Sequence, residues 1–408
     1  MSYNSNRRDF LKLISGGSVG LLMSEAASSA TEVHLPFEYG ERDLVAFPEK
    51  KPLIVQTTRP PQLETPFQYF DRQLITPNDE FFVRYHLAGI PTEIDISTYR
   101  LKISGNVSNP LELSFHDLKT KFKSKKIVAV NQCSGNGRGL ANPRINGGGQ
   151  LGNGAMGNAV WVGVPLRDIL SVARLGNTAK QVTFNGLDQP VITSEADFVK
   201  SLDINHANDG DVLVAYQMNG TDIPFLNGFP VKLVVPGYYG TYWVKHLAEI
   251  NVIDQEFKGY WMQSAYRVPD NDCHCEPVGV KPDKTVPISK LAIRSFITNL
   301  ENGSTVVAGQ PTVVRGFAFD CGNGIEKVLF SQDDGNTWQP TKLGKMIGKY
   351  SFRAWSTDFV PQQAGPLLLR VRAFGATGEK QPMTQTWNPG GYMRNVVETV
   401  RVEARKGS

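Results

Sequence analysis

The sequence predicts an α+β body followed by an all-β sandwich of immunoglobulin-like type. Three observations lead there. From Arg84 to Ile253, short apolar runs alternate with helix-like pieces, without the regular rhythm of a parallel βαβ sheet. A connector rich in Pro, Asp and Lys, Val278 to Pro287, then breaks that pattern. Beyond it, residues 291–404 read as short strands with turn signals and little helix. The expected organisation is an N-terminal segment over 1–30, a first domain over 31–288 and a second over 289–408. A chain of 408 residues suits two domains plus a short segment. Its 40% hydrophobic and 20% charged residues mark it as globular, and a net charge of +4 is too small to argue for nucleic acid.

The N-terminal segment reads as an export signal. Asn6-Arg7-Arg8-Asp9-Phe10-Leu11-Lys12 is a twin-arginine motif, and a mildly apolar run follows from Leu13 to Met23. Gly16, Gly17 and Gly20 interrupt that run. It falls short of the roughly 20 apolar residues that span a bilayer. Ser28-Ser29-Ala30 offers small residues for cleavage before Thr31. The alternatives are a membrane anchor or a chance amphipathic start. The twin-arginine route carries proteins already folded, usually around a cofactor, and places them in an oxidising periplasm. Only four cysteines are present, too few for a disulfide scaffold. A cysteine in a glycine loop then needs a specific reason.

Residues 31–75 are rich in Pro without clear periodicity, and read as an extended arm over a larger body. Leu166 to Ala173 has helical spacing, with Pro165 suited to the helix start. Val212 to Tyr216 and Val231 to Pro236 read as buried strands. In the second domain, strands are expected at Val306-Val307, 313–319, 327–331, 367–373 and 396–402. Asp333-Asp334-Gly335-Asn336-Thr337-Trp338 is a hairpin turn.

Two segments carry the chemistry. In the first, Phe82, Arg84 and His86 alternate and so share one strand face. An Arg and a His there need partners unless the face is simply solvated. In the second, Ile127-Val128-Ala129-Val130 leads into Asn131-Gln132-Cys133-Ser134-Gly135-Asn136-Gly137-Arg138-Gly139. A soft thiolate in a sharply turning loop is a metal ligand or a nucleophile, and the guanidinium of Arg138 suggests a bound oxyanion. An inert buried cysteine is the bland alternative. Cys273-His274-Cys275 has ligand-type residues but no zinc spacing, and a bridge from Cys273 or Cys275 to Cys321 stays open.

Together the segments 76–86 and 131–139 resemble the sulfite oxidase family of molybdenum enzymes. So do Gly154 to Arg167, Asn185-Gly186-Leu187-Asp188 and Asn227 to Lys245, over about residues 65–405. The resemblance is nearest to bacterial periplasmic sulfite dehydrogenases. It implies a molybdopterin-binding first domain with Mo-molybdopterin as cofactor, and Cys133 as the single protein ligand of the metal. It implies cofactor contacts from Phe82, Arg84, His86, Asp188, Asn227, Lys232, Gly240, Tyr242, Trp243 and Lys245. Arg84, His86, Arg138 and Tyr266 take the catalytic roles. Vertebrate members carry His and Arg where this chain has Asn227 and Lys232. They carry Y-K-G where it has Phe257-Lys258-Gly259, so the tyrosine near the metal is assigned to Tyr266. A tryptophan of the vertebrate substrate pocket is replaced by Leu151, and a late arginine in a W-N-L-R-G motif is replaced by Trp387-Asn388-Pro389-Gly390-Gly391.

The expected activity is periplasmic oxidation of sulfite to sulfate, with electrons leaving to a c-type cytochrome, since no haem-binding motif is seen. The expected partners are sulfite and that cytochrome, with no nucleic acid and no membrane span. Homodimer or heterodimer stays open. One rival is another sulfur reaction on the same cofactor, such as sulfane-sulfur oxidation or methionine sulfoxide reduction. Another is an exported binding protein without catalysis.

Overall fold

The computed structural model describes residues 31–407. The export signal expected over 1–30 lies outside them. The first domain is mostly sheet, a shift from the α+β expectation. Its α-helices among the described residues are short: Phe115–Thr120, Leu166–Ala173, Ile204–Ala207 and Tyr260–Gln263. Short apolar runs fit a buried strand as well as a helix by periodicity alone, and here strand pairing took most of them. The helix expected at Leu166–Ala173 forms after Pro165, which adopts φ −55°. It buries Leu166, Ile169, Leu170 and Ala173 on one face.

Residues 31–75 are no irregular arm. Thr31–His34, Glu41–Ala46, Pro52–Thr58 and Pro61–Glu64 form an antiparallel meander. Pro61–Glu64 then pairs with Val83–Arg84, Leu63 lying opposite Val83 and Gln62 opposite Arg84. Few side chains of Glu41–Ala46 are buried, so no apolar alternation marks the strand in the sequence. The strand expected over 82–86 shrinks to these two residues.

Two sheets form the body. In one, Lys200–Asp203, Gln181–Gly186, Leu247–Ile253, Arg100–Gly105 and Leu111–Ser114 lie side by side. In the other, Lys125–Gln132 pairs with Met156–Pro165 over its whole length, from Lys125 opposite Gly163 to Gln132 opposite Met156. Leu213–Met218 continues that sheet and takes Lys232–Val234 on the side. Fully buried Trp161, Val164, Val214 and Leu233 anchor the core beneath.

The second domain stacks two sheets. Arg294–Ile297, Thr312–Phe319, Arg353–Phe359 and Lys342–Leu343 form one. Thr305–Val307, Thr399–Arg405, Gly365–Gly375, Ile325–Ser331 and Gln339–Pro340 form the other. Val314, Trp355, Phe330, Leu369 and Val402 meet between them. The turn at Asp333 to Trp338 joins Ile325–Ser331 to Gln339–Pro340 as a hairpin. The last strand begins at Thr399 rather than 396.

An aromatic cluster joins the domains. Phe296, Phe317, Phe319 and Phe352 pack with Phe70, Tyr239, Tyr266 and Val130. Val130 N donates to Tyr350 O at 2.9 Å. The second domain thus backs directly onto the strand that leads into Cys133. The open question of a bridge to Cys321 is answered differently: Cys273 bonds Cys275, and Cys321 is free.

Candidate active site

Strand Lys125–Gln132 delivers Cys133 to the edge of a cavity. A turn follows at once, because Asn136 N donates to Cys133 O at 3.0 Å. Gly137 needs its φ of +86°, which only glycine adopts cheaply. The loop is zipped onto residues 151–155. Cys133 N donates to Ala155 O (2.9 Å), Gly137 N to Gly152 O (2.7 Å) and Gly139 N to Leu151 O (2.9 Å). Buried Glu64 of the meander holds that support in turn, accepting from Gly152 N (3.0 Å) and Gly154 N (2.9 Å). The thiol direction is therefore set by backbone on both sides.

Beside Cys133 the cavity is lined by Arg84, His86 and Tyr266. His86 Nε2 and the Tyr266 hydroxyl are hydrogen-bonded at 2.5 Å. The imidazole stacks on Phe198 with centroids 3.8 Å apart. Burial holds His86 well below its usual range, and the cations Arg84, Lys245 and Lys200 push the same way. The ring is neutral at physiological pH, so it offers polarity and a hydrogen bond rather than a charge. Burial raises the Tyr266 phenol, while Arg84 and Arg138 both oppose that rise.

The far side of the cavity is cationic. Lys232 and Lys245 line it, with Asp188 as the one carboxylate among the lining groups. Lys232 is 2% exposed and lies 5.2 Å from the Trp161 ring centre, and no described oxygen accepts from its ammonium. Lys245 donates to Arg84 O and lies over the Tyr85 ring at 4.3 Å. Lys50 donates to Asn227 Oδ1 (2.5 Å), and Asn227 Nδ2 donates to Phe82 O (3.1 Å). Burial pushes Lys232 well below its usual value, Lys245 to about 8, and Lys50 and Lys200 to about 7. Burial raises Asp188 to about 6, with Lys245 opposing. Asn131 Oδ1, Ser134 Oγ and Thr241 Oγ1 are buried without partners and belong to lining residues. Buried cations and orphaned polar atoms around a cavity fit a bound anion. Gly240 lets the backbone pass there, since a Cβ would lie 2.4 Å from Asn131 Oδ1.

A pH dependence follows. Lys50 and Lys200 sit at about 7 in the fold, against about 10.4 in an unfolded chain. Between these values the unfolded chain binds more protons, so stability rises with pH. In the ligand-free protein, the unfolding free energy should climb from pH 7 to 9 by about 1 kcal/mol per pH unit for each lysine. Denaturant titrations at the two pH values measure it.

Of the residues singled out in the sequence, Phe82, Arg84, His86, Cys133, Asp188, Asn227, Lys232, Gly240, Trp243, Lys245 and Tyr266 line this one cavity. Tyr242 does not; its hydroxyl donates to Ile288 O, and its ring lies beneath Lys200. Arg138 also stands outside the lining, with Nε donating to Gly390 O (2.9 Å) and Nη1 to Gly149 O (3.3 Å). Sequence reasoning missed Tyr85, Phe198 and Thr241 in the lining, and the charges of Lys50 and Lys200. A lysine opening the otherwise buried run Lys200-Ser201-Leu202 is the one signal that was available.

Residues 86–261 match the oxidoreductase molybdopterin binding domain, and residues 285–405 the Mo-co oxidoreductase dimerisation domain. The chain is 33% identical to the mitochondrial sulfite oxidase of Rattus norvegicus over 86% of its own length, and spans 65% of that protein. It is 31% identical to the sulfite oxidase of Gallus gallus, covering 94% of this chain and 83% of that one. The sulfane dehydrogenase SoxCD of Paracoccus pantotrophus shares the fold, with a TM-score of 0.70, 22% identity and 97% coverage of both chains.

Proposed function

Because the chain belongs to the sulfite oxidase family and takes Mo-molybdopterin as its cofactor, we propose that it oxidises sulfite to sulfate in the periplasm and passes the electrons to a c-type cytochrome. The cavity suits the cofactor. Cys133 offers one soft thiolate at its edge, the donor type a high-valent metal accepts. Lys232 and Lys245, with the orphaned Thr241 hydroxyl, offer a cationic seat for the phosphate of the pterin. When bound, the molybdenum supplies the two-electron oxidation and the oxygen atom that sulfite gains.

The chain's own part is to attract, hold and orient a dianion. Arg84 and Arg138 both bring guanidinium charge near Tyr266. Arg84, in the cavity wall, makes charge-assisted hydrogen bonds to the substrate oxygens. Neutral His86 fixes the Tyr266 phenol, whose raised pKa keeps it a donor. The Phe198 and Trp261 rings that enclose His86 keep bulk water from the pair. Arg84→Ala should raise KM for sulfite by about 10- to 100-fold, the worth of a hydrogen bond to a charged group. An unchanged KM counts against the role.

One observation carries the reading: Cys133 shares its cavity with Arg84, Lys232 and Lys245, three cations set against a single carboxylate, Asp188. The test is a molybdenum assay with sulfite-dependent cytochrome c reduction on one preparation. Thiosulfate and methionine sulfoxide beside sulfite separate the rival sulfur reactions. No molybdenum at all would sink every version. Arg7 and Arg8 support export, and Arg7→Lys with Arg8→Lys should leave the protein in the cytoplasm on cell fractionation. The likeness of residues 285–405 to a dimerisation domain supports a homodimer, which light scattering reads directly.

A further inference from the structure

Arg138 is held by the other domain. Its Nε bonds Gly390 O, and its guanidinium carbon lies 5.0 Å from the centre of the Tyr392 ring. The same ring stacks on Tyr266, with centroids 5.4 Å apart and planes at 28°. Tyr266 is the residue that lines the cavity and bonds His86. One side chain of the second domain therefore touches two groups assigned to the substrate.

The loop that presents Tyr392 is also fixed by bonds that do not involve Arg138. Asn388 Nδ2 donates to Tyr392 O (2.8 Å), and Tyr392 N donates to Asn388 Oδ1 (3.0 Å). Met393 N donates to Ser134 O (3.0 Å), tying the loop to the residue after Cys133. There is no slack in the loop against Arg138. Gly391 has φ +61°, and a Cβ on it would lie 2.8 Å from Arg138 Cγ. A planar guanidinium against an aromatic ring keeps its direction in a way that a freely solvated one does not.

We infer that Tyr392 is a positioning residue for the substrate: its ring aims the Arg138 guanidinium and steadies Tyr266, so the second domain sets the affinity for the oxyanion. The bland alternative is interdomain packing alone, which any apolar side chain of similar size would supply. The inference rests on the proposed sulfite chemistry, and its test separates the two.

The experiment compares Tyr392→Phe and Tyr392→Leu with wild type as full-length holoenzymes, matched for molybdenum per chain and far-UV circular dichroism. Sulfite kinetics and calorimetric titration with sulfate, the product dianion, are read on each. Tyr392→Leu should raise KM for sulfite about 5- to 30-fold and weaken sulfate binding by a similar factor, with kcat within about twofold. Tyr392→Phe, which keeps the ring, should restore both values to within about twofold of wild type. Arg138→Lys supplies a check that survives a poorly folding single variant. In that background Tyr392→Leu should cost little more, because the planar partner has gone. Wild-type KM and sulfate affinity in Tyr392→Leu would overturn the inference. So would Tyr392→Phe falling as far as Tyr392→Leu, or a loss confined to kcat. If wild type binds sulfate but oxidises no sulfite, the proposed function falls, while the sulfate titrations still decide the role of Tyr392.

Discussion

Cys133→Ser should lower sulfite oxidation to below about 1% of wild type while the fold survives, since losing even a supporting group costs metal sites 10- to 100-fold. The physical reason is the change from a soft, polarisable thiolate to a hard hydroxyl that stays protonated at neutral pH. The fold should survive because the loop is held by backbone: Cys133 N on Ala155 O, Gly137 N on Gly152 O and Gly139 N on Leu151 O. None of these bonds uses the thiol. Far-UV circular dichroism and thermal unfolding should match wild type, while the visible absorption of the metal centre should change. Normal turnover in the serine variant would remove the basis of the assignment.

Lys232→Met should act with opposite signs on the two forms of the protein. In the ligand-free form the ammonium is buried with no described acceptor, a costly arrangement. Methionine of similar length, packed against Trp161 and Trp243, should raise unfolding free energy by about 1 to 3 kcal/mol. In the loaded form the same change would remove a charge from the seat proposed for the pterin phosphate. Retained molybdenum and pterin should then fall about tenfold or more, as expected for a lost charge-assisted hydrogen bond. Urea titration of the ligand-free chain and metal analysis of the purified enzyme check the two halves separately. If both forms lose stability together, Lys232 is a packing residue and the cationic seat lies elsewhere.

The residues that could be recognised in the sequence are those whose signal is local. Cys133 stands in a glycine-rich turn behind an apolar run, and both features lie within about ten residues. Arg84 and His86 are marked by polar types in an apolar setting, and Leu166–Ala173 by its spacing after a proline. The resemblance to a family located Asp188, Lys232, Lys245 and Tyr266, which no pattern singles out. Lys50 and Lys200 escaped because lysines are ordinarily solvent-exposed. The partners of buried Lys50, Asn78 O, Phe81 O and Asn227 Oδ1, lie 28 to 177 positions away. The helical content was over-read for a related reason. Strand pairing is a long-range event, whereas helical spacing can be met by chance within eight residues. In the sheet made by residues 31–64, strand Glu41–Ala46 has no buried side chain, so no apolar alternation marks it.

What the sequence determined alone was the chemistry on offer: a lone loop thiol, two arginines and an imidazole, each written in contiguous residues. What tertiary structure decided was which groups meet and how they are charged. Only folding sets Arg138 against Gly390 and Tyr392, buries Lys50, Lys200 and Lys232, and closes Cys273 on Cys275 rather than on Cys321. The reason is that burial and pairing are properties of distance through space. A chain encodes them only through every contact that brings remote segments together.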